Sequence, residues 1–162
     1  MAYVTYSEYT SIYTDGLTEA DYNRLDWDAE RYVDLQTTGI DDVRKLKVAY
    51  PTDEYSVQCV VRCICKLIST MYQVEQQEAL MALHGNGNGA RGGMIASVSS
   101  GSESISYNNS VRTSIQSAAI DPTAKSNLYA GIIKSGLSGV CDANGVHLLY
   151  MGIYPYVITE GE

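Results

Sequence analysis

The sequence predicts a mainly α protein: a helical bundle around a long central helix, with a β-hairpin excursion and an extended C-terminal tail. Three observations carry this reading. Val57, Val60, Val61, Ile64, Leu67, Ile68, Met71 and Tyr72 trace a broad apolar stripe at helical spacing. Alternating apolar and polar residues stand on either side of Ser100-Gly101, which is a hairpin signal. Beyond Val140, apolar and aromatic residues mix with Gly145, Gly152 and Pro155 and keep no helical register. The chain of 162 residues has the length of one domain, expected over residues 1–162. Its helical core is placed at about 5–84 and 111–136, its glycine loop and hairpin at 85–107 and its tail at 140–162. With 45% hydrophobic and 19% charged residues it has enough apolar side chains to bury a core, unlike a disordered chain.

Taken in order, Thr5 and Glu8 have capping-box spacing, and Tyr6, Tyr9 and Tyr13 then share one helical face. Asp15-Gly16 breaks that short helix. Thr18 with Asp21 resembles a second N-cap, before apolar positions at Tyr22, Leu25, Ala29, Tyr32 and Val33. This helix should reach about Gln36, with Gly39 as a C-terminal stop. Residues 41–46 allow a further turn before Pro51. Thr52 or Asp53 caps the central helix, which should run to about Leu83, roughly 30 residues or 45 Å. The stretch Gly85 to Gly93 holds five glycines and nothing apolar beyond Ala90, so it reads as a loop. Met94, Ala96 and Val98 then alternate with Ile95, Ser97 and Ser99, and Ile105 and Tyr107 with Ser104 and Ser106. A lone two-stranded ribbon is marginal in water and exposes unpaired edges, so a neighbouring subunit is its simplest cover. Val111 to Ile120 and Thr123 to Lys134 complete the helices, and Gly136 and Gly139 end the second. The apolar tail either tucks against its own bundle or docks elsewhere; its terminal position favours docking.

Charge and chemistry narrow the function. The net charge is −8, and residues 1–54 hold 12 acids against 5 bases. An acidic chain without a basic run is a poor grip for phosphate backbones. Asp26, Asp28, Asp34, Asp41 and Asp42 read as a solvated helix face. Cys59, Cys63 and Cys65 cluster, yet no second cysteine pair or histidine pair completes a zinc site, and His84 and His147 stand alone. Buried apolar thiols are expected, with no disulfide, metal or cofactor. Gly87, Gly89 and Gly92 fit G-x-G-x-x-G, but no strand precedes them and no Lys-Ser/Thr follows. No nucleophile sits beside a base in any recognisable motif, so no catalytic residue and no enzyme activity is expected. No stretch is apolar enough to span a membrane, and no secretory signal is visible, so the chain is expected to stay where it is made. Fourteen Tyr, one Trp and no Phe suit contact surfaces that are half dry and half wet, or a core in which Tyr has replaced Phe.

Several stretches of the chain resemble the head-tail connector (adaptor) proteins of tailed bacteriophages. Tyr3-Val4-Thr5-Tyr6 with Tyr9 and Tyr13 resembles that family's tyrosine-rich start, and Arg31-Tyr32-Val33-Asp34 its A-s-x-Y-I-D segment. The helix from Val57 to Tyr72 is similar to its long central helix. Gly92 to Gly101 with Ser104-Ile105-Ser106-Tyr107 looks like its G-G-x-I-x-S ribbon, and Leu148-Leu149-Tyr150-Met151-Gly152-Ile153 its closing L-L-Y-R-G-V. The matches follow the family's order over about 150 residues. Met151 stands where members carry arginine, and extra residues lie around Pro122 and from Cys141 to Gly145.

The resemblance implies a structural virion protein of the neck, assembled in the host cytoplasm. Its subunits would form a homo-oligomeric ring of twelve between the portal and a tail-side stopper or tail-terminator protein. DNA would pass through the channel without specific binding, and no membrane is involved. Ile95, Val98, Ile105 and Tyr107 are the expected subunit interface of the hairpin. Leu148, Leu149, Tyr150, Met151, Gly152 and Ile153 are the expected portal-docking tail. The alternative is a small cytoplasmic Tyr-rich regulatory module that binds a partner protein.

Overall fold

A computed structural model describes residues 2–84, 97–100, 103–106 and 113–155. The protein is mainly α, with six helices and one antiparallel strand pair among these residues. Two compact units arise: Met1–Ser69 with Tyr129–Glu162, and Thr70–Leu128.

The first unit opens with α1 (Tyr6–Ile12), started by a complete capping box: the Glu8 N–H donates to Thr5 Oγ1 at 3.3 Å and the Thr5 N–H to Glu8 Oε2 at 2.8 Å. The Thr5 hydroxyl, which donates to Glu8 Oε2 at 2.7 Å, and then the Thr5 N–H hold the Glu8 carboxyl below its usual value. Helix α2 (Glu19–Thr37) starts at Thr18, whose Oγ1 accepts from the Asp21 N–H at 3.2 Å. It buries Tyr22, Leu25, Ala29 and Val33 on one face. A single turn, α3 (Lys45–Val48), follows a bridge between Thr38 and Arg44. Helix α4 (Glu54–His84) is 31 residues long, and Asp53 caps it by accepting from the Ser56 N–H at 2.8 Å. Val60, Ile64, Leu67 and Ile68 on α4 are fully buried in the first unit.

Tyrosine is a core residue here. Tyr9 is wholly buried and Tyr22 nearly so, and the rings of Tyr6, Tyr9, Tyr13 and Tyr22 sit 5.4–5.6 Å apart in tilted and stacked pairs. Three of the four hydroxyls are used within the chain. Tyr6 donates to Leu17 O at 2.9 Å, Tyr9 to Asp15 Oδ2 at 2.5 Å and Tyr22 to Val4 O at 2.9 Å. Phe would fill the same volume and leave those acceptors without a donor. The tyrosines therefore account for core packing before any partner is considered.

In the second unit, strands β1 (Ser97–Ser100) and β2 (Glu103–Ser106) pair antiparallel, with Val98 opposite Ile105. Helix α5 (Ser114–Ile120) begins with a second capping box, Thr113 and Gln116, and so starts three residues later than the sequence suggests. Lys125 and Glu78 form an ion pair in this unit.

Helix α6 (Pro122–Gly136) has Pro at its first position, where the missing N–H costs nothing. Its last residues return to the first unit. A Cβ at Gly136 would stand 2.9 Å from Cys63 Sγ and 3.0 Å from Cys63 Cβ, so the two helices touch through two small residues. Cys63 and Cys65 are buried free thiols, pushed up by desolvation to about 12 and about 11 and therefore protonated packing groups. Gly139, at φ 78°, reverses the chain after α6.

Two expectations change. Gly39 does not end α2 in a left-handed cap: Thr38 caps it in extended conformation, and no positive φ occurs at Gly39. Glycine is needed there because a Cβ would stand 2.5 Å from Gly152 O. The acidic face of the N-terminal third is also less solvated than its charge suggests. Asp34 is buried against Tyr3, whose hydroxyl donates to it at 2.8 Å. Asp26 is raised to about 6, by desolvation first and the neighbouring Glu30 second.

Candidate interaction surfaces

Residues 140–155 form one candidate surface, and their backbone is fixed by three polar anchors. Asp142 organises the first turn: its Oδ1 accepts the N–H groups of Asn144 and Val146 at 2.9 and 2.8 Å. Its Oδ2 accepts from the Tyr154 hydroxyl at 2.5 Å, and Tyr154 is 2% exposed. Burial, then this bond to a carboxylate, pushes the Tyr154 pKa upward. Asp41 is the second anchor, accepting the Tyr154 N–H at 2.7 Å, and that bond is the main reason its carboxyl lies low. Lys45 is the third. Its ammonium, fully buried, donates to Thr37 O at 2.9 Å, to Leu148 O at 3.2 Å and to Tyr150 O. The Ile40 N–H adds a bond to Met151 O at 3.1 Å.

This arrangement revises the free docking tail. Leu148 is wholly buried and Leu149 half-buried, so Leu148 is a core residue that no partner can touch. Tyr150, Met151 and Ile153 point outward at 50%, 58% and 70% exposure, beside Ile40 at 79%. Gly152 brings its carbonyl against Gly39. The segment is an apolar ledge on a pinned backbone: one face closes the unit, the other is presented to solvent. In the strand pair Val98 is in register with Ile105, while Ile95 and Tyr107 lie outside the described residues, as do the expected glycine loop and residues 156–162.

A second surface, not anticipated from the sequence, is a groove of about 400 Å³ along α2 and α3. Trp27, Arg31 and Leu35 line one wall at successive helical turns, and the Arg31 guanidinium lies 5.7 Å from the Trp27 ring centre. Lys47 lies 3.9 Å from Glu30 and 3.8 Å from Asp34, and 4.1 Å above the Tyr3 ring. The spacing of Trp27, Arg31 and Leu35 is visible in the sequence as one outward helix face. The roles of Lys45 and Arg44 are not, since nothing local separates them from the solvated Lys47 beside them.

Cys141 Sγ lies 3.4 Å from His147 Nδ1 across a short bridge. No group of three or more His, Cys, Asp or Glu residues that could hold a metal occurs among the described residues. No described helix is long and apolar enough to cross a membrane. No protein-family model, curated protein or solved structure matches the chain.

Proposed function

We propose that the chain is the subunit of a head-tail connector ring, a helical bundle around α4 that carries a two-stranded excursion. The ledge of Tyr150, Met151 and Ile153 carries this reading. It lies in the stretch that resembles the adaptor family's closing segment, and it holds three large apolar side chains in water on a backbone tied by Lys45 and Asp41. A rigid apolar patch of this kind loses little conformational freedom when a partner covers it. The portal is the partner proposed for it, in place of docking by a loose peg.

The strand pair supports ring closure. Among the described residues β1 and β2 pair only with each other, and an outer edge of this pair is the contact proposed for another copy. A head-to-tail contact that reuses such an edge closes into a ring when its rotation divides the circle. Twelve copies is the number the resemblance implies. The acids of residues 1–54 would disfavour DNA adhesion wherever they face the channel.

Electron microscopy of the protein mixed with its portal tests the proposal. The expected result is a twelve-subunit ring on the portal vertex, with the ledge at the contact. A chain that stays small and leaves the portal bare would refute the connector reading and favour the regulatory module.

A further inference from the structure

We propose that the groove between α2 and α3 is a docking site for residues 156–162 of the same chain. The proposal is independent of the connector reading, because it rests on the chemistry of the groove and on how far the chain can reach.

The groove is apolar on one wall and carries surplus positive charge. Trp27 and Leu35 are 65% and 58% exposed, a large apolar surface for two residues on one helix face. Its two acids are already engaged: Glu30 by Lys47 and the Tyr3 N–H, Asp34 by Lys47 and the Tyr3 hydroxyl. Arg31 and Arg44 have no carboxylate partner among the described residues. A fitting occupant is thus an extended segment with apolar side chains for Trp27 and Leu35 and acids for the two arginines. It carries no base.

Residues 156–162 have that chemistry. Tyr156-Val157-Ile158 supplies three apolar side chains, and Glu160 and Glu162 follow with no Lys or Arg between them. The chain also leaves the described fold within reach of the groove. The Tyr154 N–H is bonded to Asp41 at 2.7 Å, and Arg44, which lines the groove, is only three residues from Asp41. Three residues span at most about 11 Å, and the seven residues after Pro155 reach about 23 Å when extended. A tethered segment within reach has an effective concentration in the millimolar range, so intramolecular docking outcompetes the same segment of another copy at ordinary protein concentrations.

Trp27 is the chain's single tryptophan and reports on the groove directly. Selectively excited Trp27 emission is compared between the full chain and a chain ending at Pro155, with helix content checked by circular dichroism. The expected result is a red shift and a higher quenching constant on truncation, with helix content unchanged. A synthetic peptide of residues 156–162 should reverse both changes. In the full chain, Glu160→Lys with Glu162→Lys should reproduce the truncation, and adding Arg31→Glu with Arg44→Glu should restore the protected emission. Emission that is identical in the full and truncated chains overturns the proposal. So does protection that disappears on dilution of the full chain, because it would assign the groove to a second copy.

Discussion

A buried ammonium is tolerated only when its protons find acceptors. Lys45 has three protons and three carbonyls, those of Thr37, Leu148 and Tyr150, and desolvation alone pushes its pKa below the ordinary lysine value. Lys45→Met keeps the aliphatic stem and removes the donors, so the three carbonyls lose their shared partner. Urea denaturation should show a loss of roughly 2–4 kcal/mol, within the range for stranding buried polar groups. Exchange of the Ile40 amide should accelerate, because its acceptor, Met151 O, is held in place by the same clamp. Asp26 makes the opposite kind of statement. Its carboxyl is raised from 3.8 to about 6, so between those values the folded state binds the proton more tightly than the unfolded chain does. Stability therefore falls as pH rises through that window and levels off above it. Asp26→Asn should flatten the decline and add about 1 kcal/mol near neutral pH, a figure discounted for the partial exposure of the side chain. Thermal unfolding of both proteins across the window checks this; a variant no more stable than the parent at neutral pH contradicts it.

At the scale of elements, the contact between α4 and α6 depends on what is missing at Gly136. With Cys63 Sγ and Cβ 2.9 and 3.0 Å from where a Cβ would stand, Gly136→Ala forces the helices apart. The expected cost is about 1–3 kcal/mol, less a few tenths from the better helix former. Cys63→Ala removes the sulfur and should recover part of that cost in the double variant. A double-mutant cycle by urea denaturation should return a coupling above about 0.5 kcal/mol, and simple additivity would remove the contact as the cause. The caps of these elements were legible in the sequence because they are local. Thr5 with Glu8, Thr18 with Asp21, and Asp53 each satisfy helix N–H groups within four residues. Gly39 is not the left-handed stop its position suggests, and the reason for a glycine there lies far along the chain at Gly152; Gly136 does end α6, but its close approach to Cys63 is equally invisible to local pattern. Lys45 was unreadable for the same reason: two of its three acceptors are more than 100 residues away.

At the scale of the whole molecule, the question is whether the ledge at 149–153 binds by its side chains or merely completes the fold. Sequence pattern located the segment but could not divide it, because a run with no helical or strand period does not say which side chains turn inward. The structure divides it sharply, with Leu148 and Tyr154 buried and Tyr150, Met151 and Ile153 exposed. Deleting residues 146–162 is consequently a poor test of docking. It removes Leu148 from the core, two acceptors from Lys45 and the Tyr154 hydroxyl from Asp142, so it should unfold the first unit instead of sparing it. Met151→Asp with Ile153→Asp separates the two roles. Both side chains are more than half exposed, and neither backbone position changes, so stability should move by no more than about 1 kcal/mol. Two carboxylates placed in an apolar contact would have to be desolvated without partners, which costs several kcal/mol and should abolish portal attachment. Sedimentation of the variant with and without portal measures this, with unchanged circular dichroism as the control. Wild-type affinity in the folded double variant would show that the ledge is a lid on its own core and that any portal contact lies elsewhere on the subunit.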